Sequence, residues 1–234
     1  MENALYKDTS CSRVPAGIVV LLGLIFLLSF LGSDPVLHVL QLAKVNATLL
    51  LVSRLLYWLC AALLWLYVRR VEKQKMLLYK EAAYPFFTSL LHVVILLLII
   101  IGGSIFIGLV LKMAKLSQTS SRMQELVALF RWQPPLMVFT SLTAGVTEEL
   151  MFRGYLQPRL EKLFRNSTAA IVMSSLLFGL LHYRYGTIAN VLVPFFIGLV
   201  FAFHYRRYHS LKVLMICHFL WDLGVSLLLM NQHH

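Results

Sequence analysis

Charged residues are scarce in this chain. Of its 234 residues, 13% are charged and 59% are hydrophobic. A soluble domain is about a quarter charged and nearer half apolar. Together with a mean hydropathy of +0.78, this composition predicts an integral membrane protein and disfavours a soluble protein with a very large core.

Cysteine is also rare, with three residues far apart at Cys11, Cys60 and Cys217. No CxxC pair is present, which argues against a disulfide framework and against a zinc knuckle. Cys60 and Cys217 lie in apolar runs and are interpreted as small buried residues. A basic tail and a nucleic-acid-binding motif are missing too, so the net charge of +11 does not indicate nucleic acid as a partner.

Long apolar runs dominate the remainder, and each helical span needs about 20 residues. The runs lie at about 16–32, 47–68, 84–111, 134 to the stretch 147–157, 168–182, 186–204 and 211–230. They predict an all-α, polytopic transmembrane helical bundle of about seven spans, with an eighth span or a re-entrant loop as the alternative. Glu2, Asp8 and the lack of an A-x-A site indicate that the first run is an uncleaved span rather than a signal peptide.

We expect two parts within a single integrated membrane domain. Residues 1–133 would hold three spans and a basic interfacial segment, in which SRMQELVALFRW at 121–132 predicts a short helix on the membrane surface. Residues 134–234 would hold four spans. Pro134 and Pro135 fit the start of the fourth span, because proline is tolerated in the first turn of a helix.

Most of the 21 lysine and arginine residues lie on one side of this arrangement. The positive-inside rule then places the N-terminus and the even-numbered loops in the cytoplasm. Loops of this kind meet anionic lipid, so the bilayer is an expected partner. The basic residues on that side are Lys7, Arg13, Arg69, Arg70, Lys73, Lys75, Lys80, Arg153, Arg159, Lys162, Arg165, Arg206, Arg207 and Lys212.

Two adjacent acids and an arginine occur in the stretch TEELMFRGYLQ at 147–157. Ionisable residues at membrane depth are costly, so they indicate a functional site. Glu149 and Arg153 are four apart, share a helix face and predict an ion pair. Glu148 is then left without a fixed partner and can hold or take a proton in a low dielectric. One fixed acid and one proton-exchanging acid suit general base catalysis.

A second pair, His218 and Asp222, is also four apart, in the middle of an apolar run. With His182 and the two glutamates, this pair could coordinate zinc with a site left open for water, or position a water with no metal. The residue types leave both open. An interfacial position is the plainer interpretation of the two glutamates and of His182, and a weaker one for His218 and Asp222.

Three motifs therefore follow one another on successive spans, EExxxR, FxxxH and HxxxD, within about residues 135–225. Their residues are Glu148, Glu149, Arg153, Phe178, His182, His218 and Asp222. The series resembles the CPBP family of intramembrane proteases, also called the Abi or CAAX-protease family, which includes the type II CAAX prenyl endopeptidases.

The resemblance implies a helical bundle whose site is sunk in the membrane, where glutamate and histidine activate a water that attacks a peptide carbonyl. If the matching residues of this chain have the same roles as in the family, Glu148 would be the general base, helped by His182. Glu149 would be held by Arg153 and support the site, with Phe178 as a further supporting residue.

His218 and Asp222 would complete the site, either with His182 as ligands of Zn²⁺ or as groups that stabilise the oxyanion. The prenyl-protein branch of the family resembles HxxxN at this motif, whereas this chain has Asp222. The extra negative charge favours a metal or a proton partner. It also weakens the expectation that the substrate is a prenylated CAAX protein.

These observations predict an intramembrane endopeptidase that cuts a peptide or a membrane-anchored protein near the cytoplasmic face. Bacterial members of the family resemble processors of bacteriocin-type or signalling peptides, which implies a bacterial cell membrane. The alternatives are a non-catalytic immunity or scaffold protein of the same fold, and a proton-coupled transporter, which no internal inverted repeat supports. The GxSG, HExxH and paired GxGD motifs of other membrane proteases are missing.

Overall fold

Helices make up the regular structure of the chain. A computed structural model describes residues 14–30, 45–117 and 120–231, and within these ranges there is no β-strand. The all-α prediction is therefore confirmed. The helices are α1 (Val14–Phe30), α2 (Ala47–Tyr67), α3 (Phe86–Met113), α4 (Ser121–Trp132), α5 (Pro134–Thr143), α6 (Gln157–Phe164), α7 (Ser167–Leu181), α8 (Ala189–Tyr208) and α9 (Leu211–Asn231).

Among the described residues, four helical segments are long and apolar enough to cross a membrane: Ala47–Glu72, Phe86–Met113, Ala189–Tyr208 and Leu211–Asn231. They coincide with the second, third, sixth and seventh predicted runs. The other three runs also form helices, but these are shorter or less apolar. Large apolar side chains such as Phe106, at 67% exposed, lie on the outer surface, where a bilayer would cover them. The protein is an integral membrane protein.

The predicted even-numbered loops meet at one end of the bundle, which we call the basic end. Arg159 of α6 donates to the carbonyl oxygens of Lys75 and Met76 in the loop before α3. Arg206, near the end of α8, pairs with Glu161 at 3.1 Å. The start of α1 lies here too, because a Cβ added to Gly17 would clash with Glu72 and Tyr155. Lys7 and Arg13 lie outside the described residues.

The loop before α3 also caps the last helix at the basic end. Both carboxylate oxygens of Glu81 accept backbone hydrogen bonds, from Leu211 at 3.0 Å and from Lys212 at 3.2 Å. These are orphan N–H groups in the first turn of α9, and a carboxylate there also complements the helix dipole. Contacts of this kind fix the loop to the bundle.

Residues 121–132 form a helix as predicted, α4, which lies at the opposite end of the bundle. The Ser120 hydroxyl caps α4 by accepting from the Met123 N–H at 3.2 Å and donates to the Tyr185 carbonyl oxygen at 2.6 Å. Arg131 donates to the carbonyl oxygen of Met230 at 2.5 Å. Pro134 and Pro135 begin α5, as expected.

Wide helical turns join α5 to α6, with π-helical segments at Ala144–Glu148 and Leu150–Leu156. Such turns change the direction in which following side chains point, and they are frequent at functional sites. Gly145 lets α9 approach this region closely, because an added Cβ would lie 2.8 Å from the Met215 carbonyl oxygen and 2.9 Å from the Phe219 nitrogen. That close approach brings α9 beside the two glutamates.

Candidate active site

The predicted ion pair between Glu149 and Arg153 is present and fully buried. Arg153 Nη1 donates to Glu149 Oε1 at 2.9 Å, and Arg153 Nη2 donates to the Gly198 carbonyl oxygen at 3.2 Å. The two side chains are 0% and 1% exposed. A buried charge needs a partner of this kind, because removing it from water costs several kcal/mol. The arginine thereby fixes Glu149 and connects it to α8.

His218 of α9 joins the same carboxylate. Its Nδ1 lies 2.8 Å from Glu149 Oε1, and its Nε2 lies 3.6 Å from Asp222 Oδ2. Both ring nitrogens therefore face carboxylates, an arrangement in which the doubly protonated ring can donate on each side. The second oxygen of the glutamate, Oε2, is buried without a hydrogen-bond partner among the described residues, so it retains the capacity to accept from a further donor.

Phe178 contacts residues of all three motifs. Its ring lies 4.5 Å from the guanidinium carbon of Arg153, a distance typical of a cation–π contact. Its centroid is 5.1 Å from that of His182 and 6.0 Å from that of His218. The aromatic ring therefore packs against both histidines and against the buried arginine, in keeping with the supporting role implied by the resemblance.

A cavity of about 180 Å³ opens beside this cluster, and Glu148 and His182 both line it. Glu148 makes no hydrogen bond or salt bridge to another described residue, as expected from its position next to the paired Glu149. His218 and Asp222 do not belong to the described wall of the cavity. The predicted residues thus divide into a cavity-facing pair and a buried ionic cluster.

The backbone determines which nitrogen of His182 is available. Its Nδ1 lies 2.9 Å from the Phe178 carbonyl oxygen, which can only accept, so Nδ1 carries the proton in this contact. Nε2 is then the unprotonated nitrogen of the neutral ring. His182 directly follows α7 and is half-buried, which leaves this nitrogen able to accept a hydrogen bond from water or substrate.

Other polar residues of the cavity were not selected from the sequence. Arg54 and Tyr57 come from α2, three residues apart on one helix face, and Tyr185 follows His182 in a short 3₁₀ turn. Burial raises the pKa of Tyr185, so its hydroxyl stays protonated and able to donate. The shared spacing of Arg54 and Tyr57 is the signal that could have identified this face.

The predicted zinc ligands do not come together. Within the described part of the chain, no three His, Cys, Asp or Glu side chains are arranged to hold a metal ion. His182 lies on the cavity, whereas His218 and Asp222 face each other and His218 is bonded to Glu149. The ligand set His182, His218 and Asp222 stays a prediction: in this arrangement Nδ1 of His218 is bonded to Glu149, while Nε2 lies 3.6 Å from Asp222 Oδ2.

The cavity lies towards the end opposite the basic end. Its wall includes Leu28 late in α1, Val45 just before α2, Tyr185, and Arg122 and Glu125 of α4. The sequence analysis predicted that the basic end is cytoplasmic and also that cleavage takes place near the cytoplasmic face. Because the cavity lies at the other end, these two predictions conflict. A cavity at this end opens to the face opposite the basic loops.

Comparison with known families agrees with this site. Residues 130–224 match the family model described as type II CAAX prenyl endopeptidase Rce1-like. This part of the chain is therefore similar to the CAAX-protease family, and it contains the residues of all three motifs. No curated protein and no solved structure matches the chain. The helices α1 to α3, which supply Arg54 and Tyr57, precede the matched segment.

Proposed function

We propose that this protein is an intramembrane endopeptidase that hydrolyses a bond in a peptide or a membrane-anchored protein by activating water at Glu148 and His182. The observation that carries the proposal is the cavity that these two side chains share. Glu148 lies 14 residues into the helix that starts at Pro134, or about 20 Å along it at 1.5 Å per residue. The reacting groups therefore lie at membrane depth.

The chemistry follows from the two acceptors in the cavity. Glu148 takes a proton from a water that His182 Nε2 orients, and the water oxygen attacks the peptide carbonyl carbon. The tetrahedral intermediate collapses with cleavage of the C–N bond, and the leaving nitrogen takes the proton from Glu148. The Tyr185 hydroxyl on the same wall is the donor that we assign to the developing oxyanion.

The buried cluster has a positioning role in this proposal. Glu149 Oε1 is held from two sides, by Arg153 at 2.9 Å and by His218 at 2.8 Å. Glu148 is the neighbouring residue, so fixing Glu149 fixes the backbone that presents Glu148 to the cavity. Asp222 lies on the other side of His218, 3.6 Å from its Nε2. Its carboxylate is also within electrostatic reach of Glu148.

Arg54 provides the substrate with a positive contact. Its described hydrogen-bond and ring contacts are the Ser53 hydroxyl at 3.3 Å and the Tyr57 ring at 4.9 Å, neither of which neutralises a charge. Asp222 is within its electrostatic reach but forms no described ion pair with it. A guanidinium group binds carboxylates in a bidentate manner. We therefore assign to Arg54 the binding of a carboxylate of the peptide, either its C-terminus or an acidic side chain, while the scissile bond lies at Glu148.

From the positive-inside orientation and the position of the cavity, we infer that cleavage takes place at the non-cytoplasmic face. This replaces the cytoplasmic face expected from sequence. A signalling or bacteriocin-type peptide that crosses the membrane is a suitable substrate class for such a site. The route described here uses no metal, and the described side chains do not assemble a ligand set.

The experiment is reconstitution of the purified protein with prenylated and unprenylated peptides, with and without a chelator. We expect cleavage that persists with the chelator and disappears in Glu148→Ala, while that variant still inserts and unfolds like the wild type. Loss of cleavage with the chelator, restored by Zn²⁺, would contradict the metal-free route. Full activity in Glu148→Ala would remove the proposed base and would favour a different mechanism.

A further inference from the structure

A second concave surface lies at the basic end, far from the cavity that contains Glu148. It encloses about 580 Å³, and its wall combines the last turns of the α2 helix, the following loop and one residue of α6. Its cationic residues are Arg69, Lys73, Lys75 and Lys162, and no acidic residue belongs to its described wall. We call these four residues the cationic cluster.

The nearest acid does not neutralise the cationic cluster. Glu72 is only 3% exposed, and both of its oxygens are engaged, Oε1 by the Tyr155 hydroxyl at 2.5 Å and Oε2 by Arg159 Nη2 at 2.7 Å. Arg159 lies on the ring of Tyr155 at 3.8 Å. The negative charge is thus compensated inside the bundle, and the positive charges outside it remain.

The same arginine gives the surface a defined shape. Arg159 donates to the carbonyl oxygens of Lys75 and Met76 at 3.3 and 3.2 Å, so the loop is tied down on either side of the peptide bond that joins them. The backbone of Lys73 is in the left-handed region at φ 55°, which turns the chain away from α2. The lysines are therefore presented by a fixed loop.

The position of this surface favours a lipid as the ligand. Arg69 lies 5.0 Å from the ring of Trp65, and both occupy the final turns of a span that ends at Glu72. Tryptophan and arginine at the end of a span mark the level of the lipid headgroups. Anionic lipids attract basic segments at the cytoplasmic leaflet, which is the leaflet that the positive-inside rule gives to the basic end.

We propose that the cationic cluster is a binding site for the headgroup of an anionic phospholipid, with the acyl chains lying along α2 beside Trp65. The ligand chemistry is a phosphate group that carries a negative charge, and the source is a lipid in the leaflet at the basic end. The proposal does not depend on catalysis, because the site lies outside the proposed active site.

Binding is measured by native mass spectrometry of purified protein mixed with phosphatidylglycerol or phosphatidylcholine, and with inorganic phosphate as a competitor. We expect phosphatidylglycerol to bind in preference to phosphatidylcholine. The variant Arg69→Gln/Lys73→Gln/Lys75→Gln/Lys162→Gln should lose this preference, with binding weakened by about tenfold or more, since each basic residue contributes on the order of fivefold. Phosphate at millimolar concentration should not displace the lipid.

The matched control removes four cations from the same end but outside the concave surface: Arg70→Gln/Lys80→Gln/Arg165→Gln/Arg207→Gln. All four are exposed, and because they lie outside the concave surface, their replacement should weaken the lipid preference clearly less than replacement of the cationic cluster does. Equal losses in both variants would show a general charge effect and overturn the site. Displacement by inorganic phosphate would identify a free anion as the ligand and overturn the assignment to lipid. Equal thermal stability of both variants in neutral detergent verifies folding.

Discussion

Nδ1 of His218 lies 2.8 Å from Oε1 of Glu149, so two motifs that are 69 residues apart meet at a single carboxylate oxygen. Arg153 reaches the same oxygen from the other side. Glu149 is therefore a junction between two helices. It is connected to α8 through Arg153, which donates to the Gly198 carbonyl oxygen, and to α9 through His218. The adjacent Glu148 is the acid that remains available to the cavity.

Removal of the junction should destabilise the fold. We expect Glu149→Gln to reduce the free energy of unfolding by about 3–5 kcal/mol, because it leaves Arg153 as an uncompensated buried charge. Denaturant titration in micelles measures this loss. The control is Glu125→Gln, whose pair with Arg122 is 25% exposed on each side and should contribute about 0–1 kcal/mol. A loss below 1 kcal/mol in Glu149→Gln would contradict the junction.

Substrate binding should depend on Arg54. Arg54→Gln removes a charge-assisted hydrogen bond worth about 1.5–3 kcal/mol, so KM for a peptide with a free carboxylate should rise by about 10- to 100-fold, with a smaller change in kcat. A peptide whose carboxylates are amidated should respond little to the substitution. Arg70→Gln, on the same helical segment at the basic end, is the control. An equal rise in KM for both peptides would argue against carboxylate binding.

The orientation of the bundle can be tested with single cysteines. In a background of Cys11→Ser, Cys60→Ala and Cys217→Ala, a membrane-impermeant maleimide should label Tyr183→Cys from outside intact cells. Lys80→Cys, at the basic end, should react only after permeabilisation. Tyr183 is 71% exposed and lies beside His182, so it reports the face to which the cavity opens. The reverse labelling pattern would place cleavage at the cytoplasmic face.

Stability should fall in acid because of His209, between α8 and α9. Its ring stacks on Tyr79 at 4.8 Å, and burial, followed by the charge of Arg206, lowers its pKa in the folded state. The unfolded chain then binds the proton more readily, so folding stability is complete above the usual pKa near 6.5 and is lost as pH falls below it. Thermal unfolding from pH 8 to pH 5 measures this loss.

The control for that titration is His209→Asn, since asparagine tolerates the left-handed backbone at φ 52°. The variant should lose the part of the acid sensitivity that His209 contributes while keeping the same backbone. An identical pH profile in the variant and the wild type would show that another group causes the acid sensitivity.

The spacing of residues along one helix predicted much of the site. The contacts that it did not predict depend on packing between helices. The Glu149–Arg153 pair follows from a separation of four residues on one helix. The bond from Glu149 to His218 depends on the close approach of α9 at Gly145, which no local spacing encodes. The zinc set remains a prediction: a separation of four residues placed Asp222 beside His218 but could not show that Nδ1 of His218 is bonded to Glu149.

The fold was predictable to a similar extent. Hydropathy located the four described segments that are long and apolar enough to cross a membrane, and Pro134 located the start of α5. The π-helical turns at 144–148 and 150–156 were not predicted, since hydropathy and residue spacing do not distinguish a π-helical turn from an α-helical one. These turns place Glu148 on the cavity and Glu149 in the interior, which is the distinction on which the proposed chemistry depends.

The most direct test is a single turnover in H₂¹⁸O, with enzyme in excess over peptide. If Glu148 activates water, the new carboxylate of the product takes up one ¹⁸O, the enzyme peptide that contains Glu148 stays unlabelled, and Glu148→Gln slows the turnover by at least about a hundredfold. Label in the Glu148 side chain would reveal a nucleophilic glutamate. That result, or an undiminished rate in Glu148→Gln, would contradict the account.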